Sequence, residues 1–213
     1  MEKHEIWKHI DHTLLRAAAA WDEVRRLCAE ALEYGAASVC VAPSFVAPVR
    51  AAFGGLRICT VAGFPLGYAT RRCKVEEARE AASLGADEID MVINLGDVKS
   101  GKLDAVREEI AALREALPGR ILKVIVETCY LEEAEKIALC GVVTEAGADY
   151  IKTSTGFGPA GATLEDVALF KRHLGPSVKI KAAGGISTLE EITAFIEAGC
   201  ARIGTSRAGK LLV

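Results

Sequence analysis

Two stretches of the 213-residue sequence end an apolar run in a lysine. Asp149-Tyr-Ile-Lys152 continues into Thr153-Ser-Thr-Gly156-Phe-Gly158, and Val178-Lys-Ile-Lys181 continues into Ala182-Ala-Gly184-Gly185-Ile186. A lone lysine at a strand end ordinarily snorkels to solvent. On neighbouring parallel strands about 4.8 Å apart, the two ammonium groups would instead sit near each other, at roughly 6 Å. Their repulsion at an effective dielectric of 20 is about 2.8 kcal/mol, or roughly two pKa units. One amine is then expected to move toward a neutral, nucleophilic form. Spacing alone does not say which. A third charge, Asp90, lies inside Glu88-Ile-Asp-Met-Val-Ile-Asn94, where an unpaired carboxylate is costly to bury. A structural salt bridge to Lys123 on the next strand would account for it. So would a position facing the two lysines, and an amine to condense, a second charge to tune it and an acid to relay protons are what carbonyl chemistry through an imine requires.

The segments Gly184-Gly185-Ile186-Ser187 and Gly204-Thr205-Ser206-Arg207-Ala208-Gly209 place flexible backbone amides and hydroxyls at two late strand ends, where a phosphate is expected. Metal chemistry finds little support. His4, His9 and His12 crowd the N-terminus, His173 sits on a late helix, and none shares a strand end with a carboxylate at ligand spacing. No metal or other cofactor is therefore expected, and no Gly-x-Ser-x-Gly elbow is present. The seven cysteines are odd in number and include no Cys-x-x-Cys pair, so they read as reduced thiols, Cys40 among them as a packed one.

The elements that must position these residues are marked by glycines. Gly35, Gly85, Gly147 and Gly199 each stand at a helix stop followed at once by a strand start. Their spacings of 50, 62 and 52 residues leave room for a further strand and helix in each interval. Strands are expected at 10–14, 38–42, 57–62, 88–94, 121–127, 149–152, 178–182 and 201–204, with amphipathic helices between them, one over 21–34. Strands apolar on both faces and always separated by helices indicate a parallel sheet. Eight of them without an edge favour a closed (β/α)8 TIM barrel with a short N-terminal helix. The rival, a doubly wound open sheet, would want Gly-x-Gly-x-x-Gly after the first strand, and none is there. One domain over 1–213 is expected. With a net charge of −3 there is no basic surplus for nucleic acid, and the absence of a long apolar run points away from a membrane and toward the cytoplasm.

Taken together, Asp11-His-Thr-Leu14, Val39-Cys-Val41, Val61-Ala-Gly-Phe-Pro-Leu-Gly67, Glu88-Ile-Asp-Met-Val-Ile-Asn-Leu-Gly96, Leu122-Lys-Val-Ile-Val-Glu-Thr128, Tyr150-Ile-Lys-Thr-Ser-Thr-Gly156, Lys179-Ile-Lys-Ala-Ala-Gly-Gly185 and Gly204-Thr-Ser206 resemble the 2-deoxyribose-5-phosphate aldolases, a class I aldolase family. The resemblance covers almost the whole chain in order. It implies a metal-free lyase acting on phosphosugar and aldehyde substrates, with Lys152 forming the imine, Lys181 tuning it and Asp90 relaying protons. It also implies substrate binding by Asp11, Thr13, Thr155 and Gly156, phosphate binding by Gly184, Gly185, Gly204, Thr205 and Ser206, and a dimer or tetramer. Two departures stand out. Longer members end in a tail with a terminal tyrosine, whereas this sequence stops at Leu211-Leu-Val213, which implies slower turnover or a substitute group. Phe157 stands where some members carry a lysine, so phosphate would lean on backbone amides and Arg207. The alternatives are another phosphosugar barrel, transaldolase-like or an isomerase, and a non-catalytic phosphosugar-binding barrel.

Overall fold

In a computed structural model of the protein, which describes residues 1–212, Gly35 closes its helix in the left-handed conformation at φ 72°. The three other expected helix stops do the same. Val213, the last residue of the Leu211-Leu-Val213 stretch noted above, lies outside the described residues. Eight strands follow: β1 (Ile10–Leu14), β2 (Ser38–Val41), β3 (Ile58–Ala62), β4 (Glu88–Val92), β5 (Ile121–Ile125), β6 (Tyr150–Lys152), β7 (Lys179–Ala183) and β8 (Arg202–Thr205). All neighbouring pairs are parallel, and β8 pairs with β1 through Ile10 and Ile203, so the sheet closes into a (β/α)8 barrel. A short helix α1 (Lys3–Trp7) precedes the first strand. The others are α2 (Trp21–Tyr34), α3 (Val46–Ala52), α4 (Arg71–Ser83), α5 (Leu95–Lys99), α6 (Leu103–Ala116), α7 (Glu133–Glu145), α8 (Leu164–His173), α9 (Leu189–Glu197) and α10 (Ala208–Leu211).

Local sequence explains the longer helices. In α2 the Glu23 carboxylate accepts the Ala20 amide at 3.0 Å, capping the first turn, while Val24, Leu27, Cys28 and Ala31 recur at helical spacing and are buried. Each strand then turns one set of alternating residues outward to meet such faces. Ile89 and Met91, Leu122 and Val124, Ile151, Ile180 and Ile203 all join one continuous apolar core between sheet and helices. Among the described residues no helix is long and apolar enough to cross a membrane.

The expectation of strands apolar on both faces is corrected here. The inward set is mostly polar: Asp11, Ser38, Glu88, Asp90, Lys123, Lys152, Lys181 and Arg202 are all buried and bonded to one another across the barrel. Only Cys40, Cys59 and Val61 form an apolar patch among them. The period of two visible in Tyr150-Ile-Lys152 and Lys179-Ile-Lys181 is the sign of that division. All seven cysteines are free, and burial pushes the Cys28 and Cys200 thiols up to about 12 and that of Cys140 to about 11.

Candidate active site

Lys152 and Lys181 are partners in the β6–β7 ladder, so both side chains enter the barrel at one level. Their amines share a single oxygen: Oδ2 of Asp90 lies 2.8 Å from Lys152 Nζ and 2.6 Å from Lys181 Nζ. The two nitrogens are thus within the separation of about 6 Å that strand spacing implies. The other oxygen, Oδ1, accepts from Lys123 at 2.7 Å, across the β4–β5 ladder in which Asp90 and Lys123 are partners. Both readings of Asp90 hold at once. It makes the structural salt bridge, and it faces the lysine pair.

A second tier supports the first. Asp11 pairs with Lys181 at 2.5 Å, accepts from Ser38 Oγ at 2.7 Å and receives the Arg202 guanidinium at close range. Arg202 donates to both oxygens of Glu88, at 2.6 and 3.2 Å, Lys123 shares one of them at 2.6 Å, and the exposed Arg57 stands 3.8 Å from the other. The network thus joins Lys123, Lys152, Lys181 and Arg202 to Asp11, Glu88 and Asp90, four cations against three carboxylates. A carboxylate and thiol trio close enough to hold an ion, Asp11, Cys59 and Glu88, already surrounds the Lys123 ammonium, which lies 3.2 Å from the Cys59 sulfur.

The charges act differently from simple repulsion. Burial alone would raise the Asp90 carboxyl, but the ammonium groups of Lys123, Lys152 and Lys181 outweigh it and hold Asp90 well below the ordinary carboxylate range. Asp11 is lowered in the same way, burial being overcome by Lys181, Lys123 and Arg202. Burial works against the Lys181 charge as well, yet Asp11 and Asp90 outweigh it and raise that amine above its usual value. Of the two lysines, one of which was expected to move toward a neutral amine, Lys181 is therefore the one held charged. Two carboxylates pin it as a cation, because they stand closer to it than its like-charged neighbour's effect can offset.

Above this network opens a cavity of about 870 Å³. Of the three lysines bonded to Asp90, Lys152 alone lines it. Thr13, Thr155, Gly156, Gly184, Gly185, Gly204, Thr205 and Ser206 line it too, so these expected site residues are brought together at the C-terminal mouth of the barrel. Asp11, Asp90 and Lys181 lie beneath the floor, and Asp11 is placed to hold Lys181 and Arg202. No group of the described residues accepts from the amides of Gly185, Ile186 or Ser206. Those of Ser187 and Thr188 are already taken by Glu191, which caps α9. Gly161 approaches so closely that a Cβ there would stand 2.1 Å from the Gly184 carbonyl oxygen, which fixes the loop. Arg207 also lines the cavity, and Phe157 sets its ring edge-on to Phe64 with centroids 5.3 Å apart.

The contributions of Glu88, Lys123 and Arg202 were not anticipated as a network. Their inward alternation was visible, but contacts spanning 114 residues were not. A pair between His12 and Glu30 of α2, 2.9 Å apart at the cavity edge, was likewise not foreseen.

A family model described as "DeoC/LacD family aldolase" matches residues 6–209. The chain belongs to this family. It is 57% identical, over all of its length and 96% of the relative's, to the deoxyribose-phosphate aldolase of Clostridium botulinum (strain Eklund 17B / Type B). The deoxyribose-phosphate aldolase of Clostridioides difficile (strain 630) is 50% identical over 99% of this chain and 96% of its own. Among solved structures, the tetrameric deoxyribose phosphate aldolase from Aeropyrum pernix superposes with a TM-score of 0.93 at 31% identity, covering 99% of this chain and 91% of that one. The family members' common barrel is the one described above.

The lowered carboxyls of this aldolase carry a pH signature. In the unfolded chain an aspartate titrates near 4. Asp11 and Asp90 titrate lower when folded, so their stabilisation is complete above about pH 4 and is lost as pH falls toward their native values. The difference in Tm between the protein and its Asp11→Asn variant is expected to stay constant from about pH 5 to 8 and to close below about pH 4. Thermal melts across that range check it. A gap that closes already between pH 8 and 5 contradicts it.

Proposed function

We propose that the protein catalyses the reversible cleavage of 2-deoxy-D-ribose 5-phosphate to acetaldehyde and D-glyceraldehyde 3-phosphate, through an imine on Lys152. One observation carries this reading beyond the family's own: of the three lysines bonded to Asp90, Lys152 alone opens onto the cavity. Loss of its proton before attack leaves three buried cations facing three buried carboxylates.

The neutral amine attacks C1 of the opened sugar, and loss of water gives the imine, whose protonated nitrogen draws electrons. Removal of the C3 hydroxyl proton then breaks the C2–C3 bond. Its electron pair passes to the nitrogen as an enamine, and glyceraldehyde 3-phosphate leaves. A proton returned to C2 and hydrolysis of the second imine release acetaldehyde and the free lysine. Asp90 and Lys181 lie against Lys152 and move these protons, with water as the carrier to C2 and C3. The unpaired amides of Gly185, Ile186 and Ser206, together with the Arg207 side chain, suit the phosphate.

Self-association as a dimer or tetramer belongs to the same reading, as does a cytoplasmic address, which free thiols at all seven cysteines support. Incubation with deoxyribose 5-phosphate is expected to release acetaldehyde at the same rate with and without a chelator. A rate that falls on chelation, or conversion to an isomeric pentose phosphate with no acetaldehyde, overturns the assignment.

A further inference from the structure

Glu127 follows β5 and begins the turn at Thr128–Tyr130. Among the described residues it is the one non-glycine residue with a positive φ, 53°. Its side chain is buried, 3% exposed, and none of the described cations pairs with it. Instead the carboxylate accepts chiefly from Thr155, across the mouth of the barrel, with the Cys129 thiol a distant second donor to Oε1 at 4.0 Å. The Thr155 N–H donates to Oε1 at 3.1 Å and to Oε2 at 3.3 Å, and the Thr155 hydroxyl donates to Oε2 at close range. Thr155 Oγ1 in turn accepts from the Phe157 amide at 3.0 Å. The loop crosses so near that a Cβ on Gly158 would stand 3.3 Å from the Glu127 carboxyl carbon.

Each of these features is unfavourable by itself. A left-handed backbone costs any residue with a Cβ, and a buried carboxylate without a cation costs more. Glycine at this position would remove both costs. Such strain persists where surrounding contacts impose it, and it concentrates at binding sites. What Glu127 holds is the segment Thr153–Gly156, which runs directly on from Lys152 and whose Thr155 and Gly156 line the cavity. With the Thr155 hydroxyl proton directed to Glu127, the Gly156 N–H remains without an acceptor among the described residues and is available to the substrate.

We propose that Glu127 is a positioning residue for substrate binding. It fixes Thr155 and Gly156 against the oxygen-rich part of a phosphosugar without touching it. The proposal rests on the aldolase reading and adds to it the residue that shapes the sugar subsite.

The test compares Glu127→Gly, which relieves the backbone and removes the carboxylate, with Glu127→Gln, which keeps one acceptor oxygen. In Glu127→Gly the KM for deoxyribose 5-phosphate is expected to rise tenfold to about a hundredfold. The rate at which borohydride traps acetaldehyde on Lys152 should stay within about twofold, since acetaldehyde is too small to reach the loop. Glu127→Gln should keep its KM within about threefold of the unsubstituted protein. Should Glu127→Gly not melt cooperatively, Glu127→Asn replaces it, because asparagine tolerates the left-handed backbone and is too short to reach Thr155. An unchanged KM in the glycine or asparagine variant, or a KM as high in Glu127→Gln, overturns the positioning role. An absence of any adduct in the unsubstituted protein overturns the aldolase reading instead, and this proposal with it.

Discussion

Lys152→Met is expected to abolish cleavage of deoxyribose 5-phosphate, lowering kcat at least ten-thousandfold, while the barrel still melts cooperatively. The size of the loss follows from the route. Without an amine at this position there is no imine, hence no electron sink, and removal of a nucleophile from a covalent mechanism costs on the order of 10⁴ to 10⁶ in rate. The fold should survive because methionine fills nearly the same space, and Asp90 keeps two cations, Lys123 at 2.7 Å and Lys181 at 2.6 Å. Removing one cation also leaves three buried cations against three buried carboxylates. Stability is therefore expected to change by less than about 1 kcal/mol. Steady-state assays and thermal melts on the same preparation separate the two effects, and retained turnover would sink the assignment of Lys152.

Asp90→Asn is expected to act in the opposite sense, on stability as well as rate. Its carboxylate is fully buried and is the one group bonded to all three lysines, so the amide leaves four cations facing only Asp11 and Glu88. Breaking a buried ion pair by removing one partner typically costs about 3–5 kcal/mol. For a chain of this size that lowers Tm by roughly 6–20 °C. Two further readouts tie the loss to charge. Lys123 and Lys181 are raised in the folded protein, so the stability they contribute is present below about pH 10 and is lost as pH rises through their native values. The deficit of Asp90→Asn should accordingly shrink toward alkaline pH. Adding Lys123→Met to Asp90→Asn should restore part of the lost stability, and strictly additive losses would show that the two residues are not coupled.

Much of this was legible in the residues. Lys152 and Lys181 stand at the ends of consecutive strands, and the barrel makes them ladder partners because parallel strands of equal pitch place equivalent positions side by side. The glycine stops found the helix ends for a local reason, a left-handed residue that few side chains tolerate. The polar barrel interior was harder to see. Ile89, Met91 and Val92 give the β4 run an apolar look, and only in the closed barrel does the alternation of Glu88 and Asp90 become an inward face. Repulsion between the lysines was a sound estimate for two bare amines. What it lacked was Asp11, on β1 and remote in sequence, whose carboxylate reaches Lys181 only because β8 closes onto β1. The strain at Glu127 left no mark in the sequence, since a left-handed glutamate is written like any other.

The most direct test of the central claim is to add acetaldehyde and sodium borohydride, digest the protein and map the modified peptide by mass spectrometry. One ethyl group per chain is expected, on Lys152, with Lys123 and Lys181 unmodified although both lie against the same carboxylate. A label on either of those lysines, or no label at all in a protein that still releases acetaldehyde, would contradict it.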